Sequence, residues 1–399
     1  MKKSTYIFIC LLYSVEFWKL SFVSGILNQD IILVLTLLWS FLGFVFFKKD
    51  KTNSLFVRRY LKFSNWIFAA VFISMFSAYF FWQQTFSQSF IAQRFVYAFI
   101  LLPSLLHVKP SENDIIKALK WISALTIVVW SLAAIDPTII SIDDDSVANK
   151  GDTDFGYYVE GIHFVVLYLY YEVQHFINKL NFKTSIAIGL LLTFIFLYQN
   201  RSIMLGVFPV IIYALIKFKS SRKFVLISFI SMILIAGIIY TSETWLALFE
   251  ETQGQLDNAE YGRNVALGYY IFQYSPHWFC YVFGNGFPSG GNSPLGDLMW
   301  DNFKLGIYAS DLGLIGMWTS YGVIPLIAVY FVVIKVLRKQ RYPLYLKFIC
   351  FHILLVPTIF HFWRNPGVTF FVLIFYLYAY YTEQNESDAG TGLYNNSKL

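Results

Sequence analysis

Apolar runs of fifteen to twenty-four residues recur along the whole chain, separated by short polar segments. They lie near 4–26, 31–47, 65–82, 88–106, 119–139, 158–177, 185–199, 203–217, 224–241, 311–334, 348–362 and 368–382. A helix needs about 20 apolar residues to cross a bilayer, so the shorter runs must gain length from their interfacial ends. The pattern predicts an all-α polytopic membrane protein of about twelve transmembrane helices. Residues 1–382 then form a single transmembrane domain, and the polar tail 383–399 is expected to be disordered and cytoplasmic. The start, MKKSTYIFICLLY, is followed by Glu16 and Lys19 and by no small-residue cleavage site, so it is expected to stay as the first helix. Glu16 and Lys19 stand three apart, close enough to pair on that helix. No internal repeat of fixed period is visible.

Charge orients the spans. With the N-terminus inside, the inside loops hold Lys48, Lys49, Lys51, Arg58, Arg59, Lys62, Lys109, Lys117, Lys120, Lys179, Lys183, Lys217, Lys219, Arg222, Lys223, Lys335, Arg338, Lys339, Arg341 and Lys347. The outside loops hold only Lys150, Arg201, Arg263, Lys304 and Arg364. Basic loops stay on the cytoplasmic side, so both ends of the chain are expected inside. The largest outside segment is 242–310. It is rich in Gly, Asn, Asp and Trp, and its apolar pieces YYIFQY and WFCYVF predict short amphipathic helices on the membrane surface. A second outside segment, 140–157, is acidic.

Composition supports a lipid environment. The chain is 57% hydrophobic and 14% charged, too little polar surface for a water-facing globule. The net charge of +6 is scattered between apolar runs rather than gathered in a basic domain, which argues against nucleic acid as a partner. Of three cysteines, Cys10 and Cys350 sit in apolar runs and Cys280 sits outside; no CxxC metal spacing exists, and neither metal nor cofactor is expected.

Candidate chemistry gathers on the outer side. Arg201 lies in a three-residue break between two spans, Arg263 early in the long loop, and Arg364 in the turn before the last span. A guanidinium grips phosphate in a bidentate fork and stays charged at every relevant pH. The alternative role for each is snorkelling to lipid headgroups. Arg94, inside a span near its outer end, must face protein or a wet cavity, either as an ion-pair partner or as a functional group. Candidate proton acceptors are His277, Asp301 with Asn302 beside it, Asp311 and His361. Asp311 also fits an N-cap for a helix starting near Leu312. The cluster FGNGFPSGGNSPLGD lacks the lysine of a phosphate-binding loop and reads as turns.

In these segments the chain resembles the bacterial O-antigen polymerase and O-antigen ligase superfamily. That family has a central span pair with an arginine in its outer break, as in NRSIMLGVFPVIIYALI here. A long periplasmic loop with an early arginine follows, as in YGRNVALGYYIFQYSPHWFCYVFGNGF. The family's loop passes through a G-x-G turn to a His-Asn pair and a helix start; this chain has GNGF, then MWDNFKLGIYASDLGLIGMWTSYGVI. The resemblance covers roughly 185–335. One departure is that Asp301 precedes Asn302 where ligases carry His, so the ligase base is not reproduced.

The resemblance implies a GT-C-like membrane enzyme of the bacterial inner membrane, active on the periplasmic face. The reaction would be metal-independent, inverting glycosyl transfer from an undecaprenyl-pyrophosphate-linked oligosaccharide to a second lipid-linked repeat unit. Arg201 and Arg263 would hold the pyrophosphate, with Asp301, His277 or Asp311 as base and Arg364, Asn302 and Arg94 as further substrate contacts. A chain-length regulator protein and membrane lipids would be its partners. The departure at Asp301 favours a repeat-unit polymerase over an O-antigen ligase. A flippase or secondary transporter, which needs paired broken helices near the midplane, is the reading from another class.

Overall fold

The computed structural model describes residues 1–24, 29–47, 54–140, 159–179, 181–198, 200–217, 262–290, 293–355 and 365–396. These residues are helical, with no strand among them beyond one isolated bridge, Leu20 to Ile140. The N-terminal half contains α1 (Lys3–Ser14), α2 (Ser21–Ser24), α3 (Gln29–Phe46), α4 (Ser54–Trp82), α5 (Phe86–Ala92), a 3-10 segment Arg94–Ile100, α6 (Leu101–Val108) and α7 (Glu112–Ile135). Then come α8 (Ile162–Asn178), α9 (Phe182–Leu197) and α10 (Arg201–Lys217). The long outer segment contributes α11 (Gly262–Phe272), α12 (Trp278–Phe283) and α13 (Pro294–Lys304). The chain ends with α14 (Leu314–Tyr321), α15 (Val323–Arg338), α16 (Leu344–Leu355) and α17 (Asn365–Asn396).

Among the described residues two helical stretches, Arg58–Trp82 and Glu112–Ile135, are long and apolar enough to cross a membrane. A third is added if the bent pair Phe86–Ala92 and Arg94–Val108 counts as one span. Asp30–Phe46, Phe182–Leu197, Ile203–Ala214 and Leu344–Leu355 are apolar but shorter. The expected run 224–241 lies outside the described residues. Twelve full crossings are therefore not visible here, and three of the expected spans are interrupted.

Each interruption has a local cause. The run 4–26 breaks after α1, where Glu16, Phe17, Trp18 and Lys19 all take left-handed φ values of 50° to 55°. Left-handed backbone costs about 1–2 kcal/mol per L-residue. It is held by the burial of Trp18, whose Nε1 donates to Thr126 Oγ1 at 3.1 Å. Glu16 and Lys19 thus stand in this left-handed turn and not on the regular helix that was expected. The run 88–106 bends by 65° at Gln93. The run 311–334 breaks at Gly322, which has φ 78°. A Cβ there would strike the carbonyl oxygen of Val282, and one on Gly284 would strike that of Ser320. Here two backbones touch with no side chain between them, which only glycine permits. At the other end of the chain, α17 runs without interruption to Asn396, where a disordered tail was expected from residue 383.

Contacts sort the helix ends into two groups. Lys3 Nζ donates to the Lys109 carbonyl (2.8 Å), and Lys109 Nζ pairs with Glu383 (3.2 Å). Arg59 pairs with Glu386 at 2.7 Å, and Tyr376 donates to the Pro110 carbonyl at 2.7 Å. Gln174 accepts from the Tyr345 N–H at 2.7 Å. Segments that carry the basic residues thus share one end of the bundle with both chain termini. At the far end Arg94 meets Asp30 at 2.9 Å, Tyr198 donates to the Val159 carbonyl at 3.1 Å, and residues 84–89 bind residues 287–293. Residues 365 to 383 of α17 join the two ends over about 27 Å at 1.5 Å per residue, close to the thickness of a hydrocarbon core.

Gly322→Ala should destabilise the protein by well over ~1 kcal/mol, because it adds both positive-φ strain and a backbone collision. Gly268→Ala is the control: nothing lies within 4 Å of its Cβ position, and the helix should gain about 0.4–1 kcal/mol. Thermal unfolding of the purified full-length protein measures both, and equal midpoints would refute the close approach.

Candidate functional site

The end of the bundle opposite the basic segments, which the charge pattern would make the outer end, is built around two buried side-chain amides. Gln84 follows a left-handed Gln83 (φ 54°) at the exit of α4 and is fully buried. Its Nε2 donates to Ser89 Oγ (2.9 Å) and the Phe287 carbonyl (2.8 Å). Its Oε1 accepts from the Ser289 N–H (2.9 Å) and from Ser293 Oγ (2.8 Å). All four hydrogen-bonding positions of the amide are therefore used. Asn285 is also fully buried. It accepts from Trp82 Nε1 at 3.0 Å and donates to Ser275 Oγ (2.9 Å) and the Thr319 carbonyl (3.1 Å). Together they fasten the glycine-rich segment 284–293 to α4, α5 and α14. The expectation of turns there holds for Gly284 and Gly286, which have φ of 82° and 83°.

The residues singled out from the sequence fall into three settings. The first comprises side chains with a structural partner. Arg94 lies 2.9 Å through Nε from Asp30, at an angle too bent for a hydrogen bond, and its guanidinium covers the face of Phe95 at 4.9 Å. His277 caps α12: its Nδ1 accepts from the Phe279 N–H at 3.2 Å, and its ring stacks on Phe81 at 5.0 Å. The cap occupies the lone pair that a base would use. Asp301 is exposed and pairs with Lys304 one turn on, at 3.0 Å. Its neighbour Asn302 turns inward, is buried, and reaches Tyr269 OH at 3.4 Å.

The second setting is backbone without a described side chain. Arg201 opens α10, where Asn200 Oδ1 accepts the Ile203 N–H at 3.1 Å as the cap. Arg263 is the second residue of α11. Asp311 lies in a 3-10 turn, Ala309–Leu312, and Gly313 caps α14, so the expected N-cap role of Asp311 is corrected. The third setting holds Arg364 and His361, which lie outside the described residues.

At the outer end the start of α8 lies beside the starts of α10 and α17. Val159, just before α8, accepts from Tyr198, just before α10. In the first turn of α8, His163 lies 5.6 Å, ring to ring, from Phe370 in the second turn of α17. Each helix start carries roughly half a positive charge, so the convergence favours an anion. One of these helices begins with Arg201, and Arg364 immediately precedes another. Arg263 belongs to a different part of the outer end. Its helix, α11, packs on α14 and on the 3-10 turn at Ala309, in a small cluster with Ala78, Tyr270, Tyr274 and Leu295.

Sequence reasoning overlooked a polar group just beneath. His352 of α16 is buried, 2.8 Å through Nδ1 from Tyr170 OH, which also lies 3.4 Å from the Gly206 carbonyl of α10. His163 is also buried, at the start of α8. Ionisable groups inside an apolar bundle are costly and are functional candidates by default. The available signal was simply a histidine within each of two apolar runs. No group of three or more His, Cys, Asp or Glu able to hold a metal ion occurs among the described residues.

Cys280 reports on this outer assembly. It is fully buried in α12, and burial pushes its thiol up to about 11. At neutral pH it should resist maleimide, since the thiolate is the reactive form. Gln84→Leu leaves the Ser289 N–H and the Phe287 carbonyl without partners and should cost at least ~2 kcal/mol, at about 1–3 kcal/mol for each stranded group. The expected result is rapid labelling of Cys280 and cleavage within 287–292 under limited proteolysis. Unchanged labelling would mean that the amide does not hold the loop.

The chain matches no family model, no curated protein and no solved structure, so its function is read from its own residues and their geometry.

Proposed function

We propose that this protein is an inner-membrane oligosaccharide repeat-unit polymerase with twelve spans and both termini in the cytoplasm. It would move a growing glycan from undecaprenyl pyrophosphate onto a second lipid-linked repeat unit at the periplasmic face. The observation that carries this reading is that the start of α8 lies beside the starts of α10, which begins with Arg201, and of α17, at the end of the bundle opposite the basic segments. Supporting it, an electropositive rim at an outer interface suits a diphosphate held by a lipid in that leaflet.

In the proposed reaction an acceptor hydroxyl attacks the anomeric carbon of the donor sugar. The bond from that carbon to the phosphate oxygen breaks, and lipid pyrophosphate leaves. Arg201 stabilises the charge growing on the departing oxygen, and Arg263, on α11, holds another part of the lipid-linked substrates. The hydroxyl proton passes to a base. Asp301 is engaged by Lys304 and His277 by its own helix, so the buried His163 and His352 join Asp311 as candidate bases. Arg364 contributes a further guanidinium at the start of α17.

One observation favours a second reading. The bend at Gln93 and the break at Gly322 are a pair of interrupted helices, a device of transporters and flippases. Gln93 adjoins Arg94, whose partner Asp30 belongs to the outer end, whereas a transporter's site is expected near the midplane. This places the polymerase first.

Arg201→Ala and Arg263→Ala should each abolish long-chain glycan while the protein stays in the membrane, read as the ladder of repeat lengths in a strain depending on this chain. Arg→Lys should restore little, because a point charge cannot make the fork. Normal ladders in both alanine variants would sink the diphosphate grip. Transfer of preformed long chains to lipid A core, with no elongation, would identify a ligase.

A further inference from the structure

At the basic end of the bundle, α4 and α15 form a seam whose two edges change character together. The helices run in opposite directions, and Phe63 of α4 meets Phe331 of α15 at 6.0 Å between ring centres. A second bridge lies beneath. Tyr378 of α17 touches Tyr60 of α4 at 5.9 Å and Tyr342, just past α15, at 5.8 Å. These contacts hold the two helix ends side by side. Toward the middle of the bundle the surface beside the seam is apolar, with Trp66 on α4 and Ile327 on α15 each 60% exposed. Toward the basic end the same two helix faces carry cations.

The helical repeat places those cations beside the aromatic pair. Arg59 stands one turn before Phe63, and Lys62 adjoins it; Lys335 stands one turn after Phe331, and Arg338 one turn further on. Residues a turn apart share a face, so Arg59 and Lys335 each lie about 6 Å beyond the ring pair and Arg338 about 10 Å. All four side chains are exposed. Lys335 Nζ sits 5.3 Å from the centre of the exposed Phe331 ring, a cation held against an aromatic face. Arg59 Nη1 donates to Glu386 of α17 at 2.7 Å. A guanidinium has five N–H groups, so this pairing leaves Arg59 donors for another acceptor.

A single lysine at a membrane boundary snorkels to water or to any headgroup. This seam differs, because cations from two helices flank one strip of aromatic surface. The strip suits an acyl chain, and the cations suit a phosphate at its head. A soluble anion would use only the cations, and a zwitterionic lipid would bring its own positive group against them. Basic positions between helices on the cytoplasmic side are of the kind that holds anionic headgroups. We infer that the seam between α4 and α15 binds an anionic phospholipid of the cytoplasmic leaflet, its phosphate held by Arg59, Lys62, Lys335 and Arg338 and a chain lying over Phe63 and Phe331. Glu386 competes with that phosphate for Arg59, so α17 limits how tightly the lipid is held. The inference rests on the bundle spanning a membrane with its basic end in the cytoplasm; the polymerase reaction, proposed for the opposite end, plays no part in it.

The test is native mass spectrometry of the detergent-solubilised full-length protein, titrated with phosphatidylglycerol, phosphatidylcholine or inorganic phosphate. Phosphatidylglycerol should bind in a saturable way at concentrations where the other two do not. Lys335→Gln combined with Arg338→Gln should weaken that binding at least about tenfold, while the control pair Lys117→Gln with Lys120→Gln should change it less than about twofold. The control removes the same charge from exposed positions near the start of α7, at the same end of the bundle. Glu386→Gln should tighten binding, because it removes the competing acid. All five positions are exposed, and an unchanged thermal midpoint in each variant verifies that the fold is kept. Equal losses in the two double variants would reveal diffuse attraction to a positive surface and no site. Equal binding of phosphatidylcholine would show that charge is not selected, and displacement of the lipid by inorganic phosphate would assign the cations to a soluble anion. Each of these three results overturns the inference.

Discussion

A helix that stops inside an apolar bundle must hand its free N–H and C=O groups to something. Water is not there to take them, and each unpaired group is expensive. The outer half of this protein is organised by that requirement. Gln84 and Asn285 are carboxamides, able to give and accept at once without carrying charge. From two positions they bind a glycine-rich segment, the exit of α4 and the end of α14. A carboxylate or an amine in either place would offer only half the bonding capacity and would add the cost of burying a charge.

Glycine makes the arrangement geometrically possible. At 284 and 322 two stretches of main chain approach until no side chain fits between them. Hydrogen bonds from Asn285 and Gly286 to the carbonyls of residues 319 and 320 then replace the ladder that the break at 322 interrupts. The polar cost of interrupting a helix is met by a loop distant in sequence. The helix starts at Ile162, Arg201 and Asn365 lie at the same end, and Asn200 caps the second of them. Residues important to the proposed chemistry therefore cluster where regular structure stops.

The all-helical class was legible from the length and spacing of the apolar runs, and the grouping of basic segments was legible from Lys and Arg alone. Lys3, Arg59, Lys109 and the start of α16 do share one end. Helix interruptions were not legible, because composition averages over a window and a single Gln93 or Gly322 barely alters it. Nor was the left-handed turn at Glu16–Lys19, which depends on where Trp18 finds a pocket. The short helices of the long outer segment were anticipated from their apolar pieces. The roles of individual polar residues were harder. His277 and Asp301 looked like chemistry by type, yet one caps a helix and the other pairs with its neighbour. Gln84, His163 and His352 looked ordinary because their meaning comes from contacts more than a hundred residues away.

The clasp between the first, middle and last parts of the chain has a consequence for biogenesis. Lys109 links the N-terminal residue Lys3 to Glu383 near the other end. The bundle cannot close until α17 has been made, and the earlier helices must wait with their inner faces uncovered. Contacts this distant in sequence slow assembly and lengthen the interval in which wrong partners compete. Any stall that delays the arrival of α17 would prolong that exposure, so this helix sets the pace at which the bundle matures.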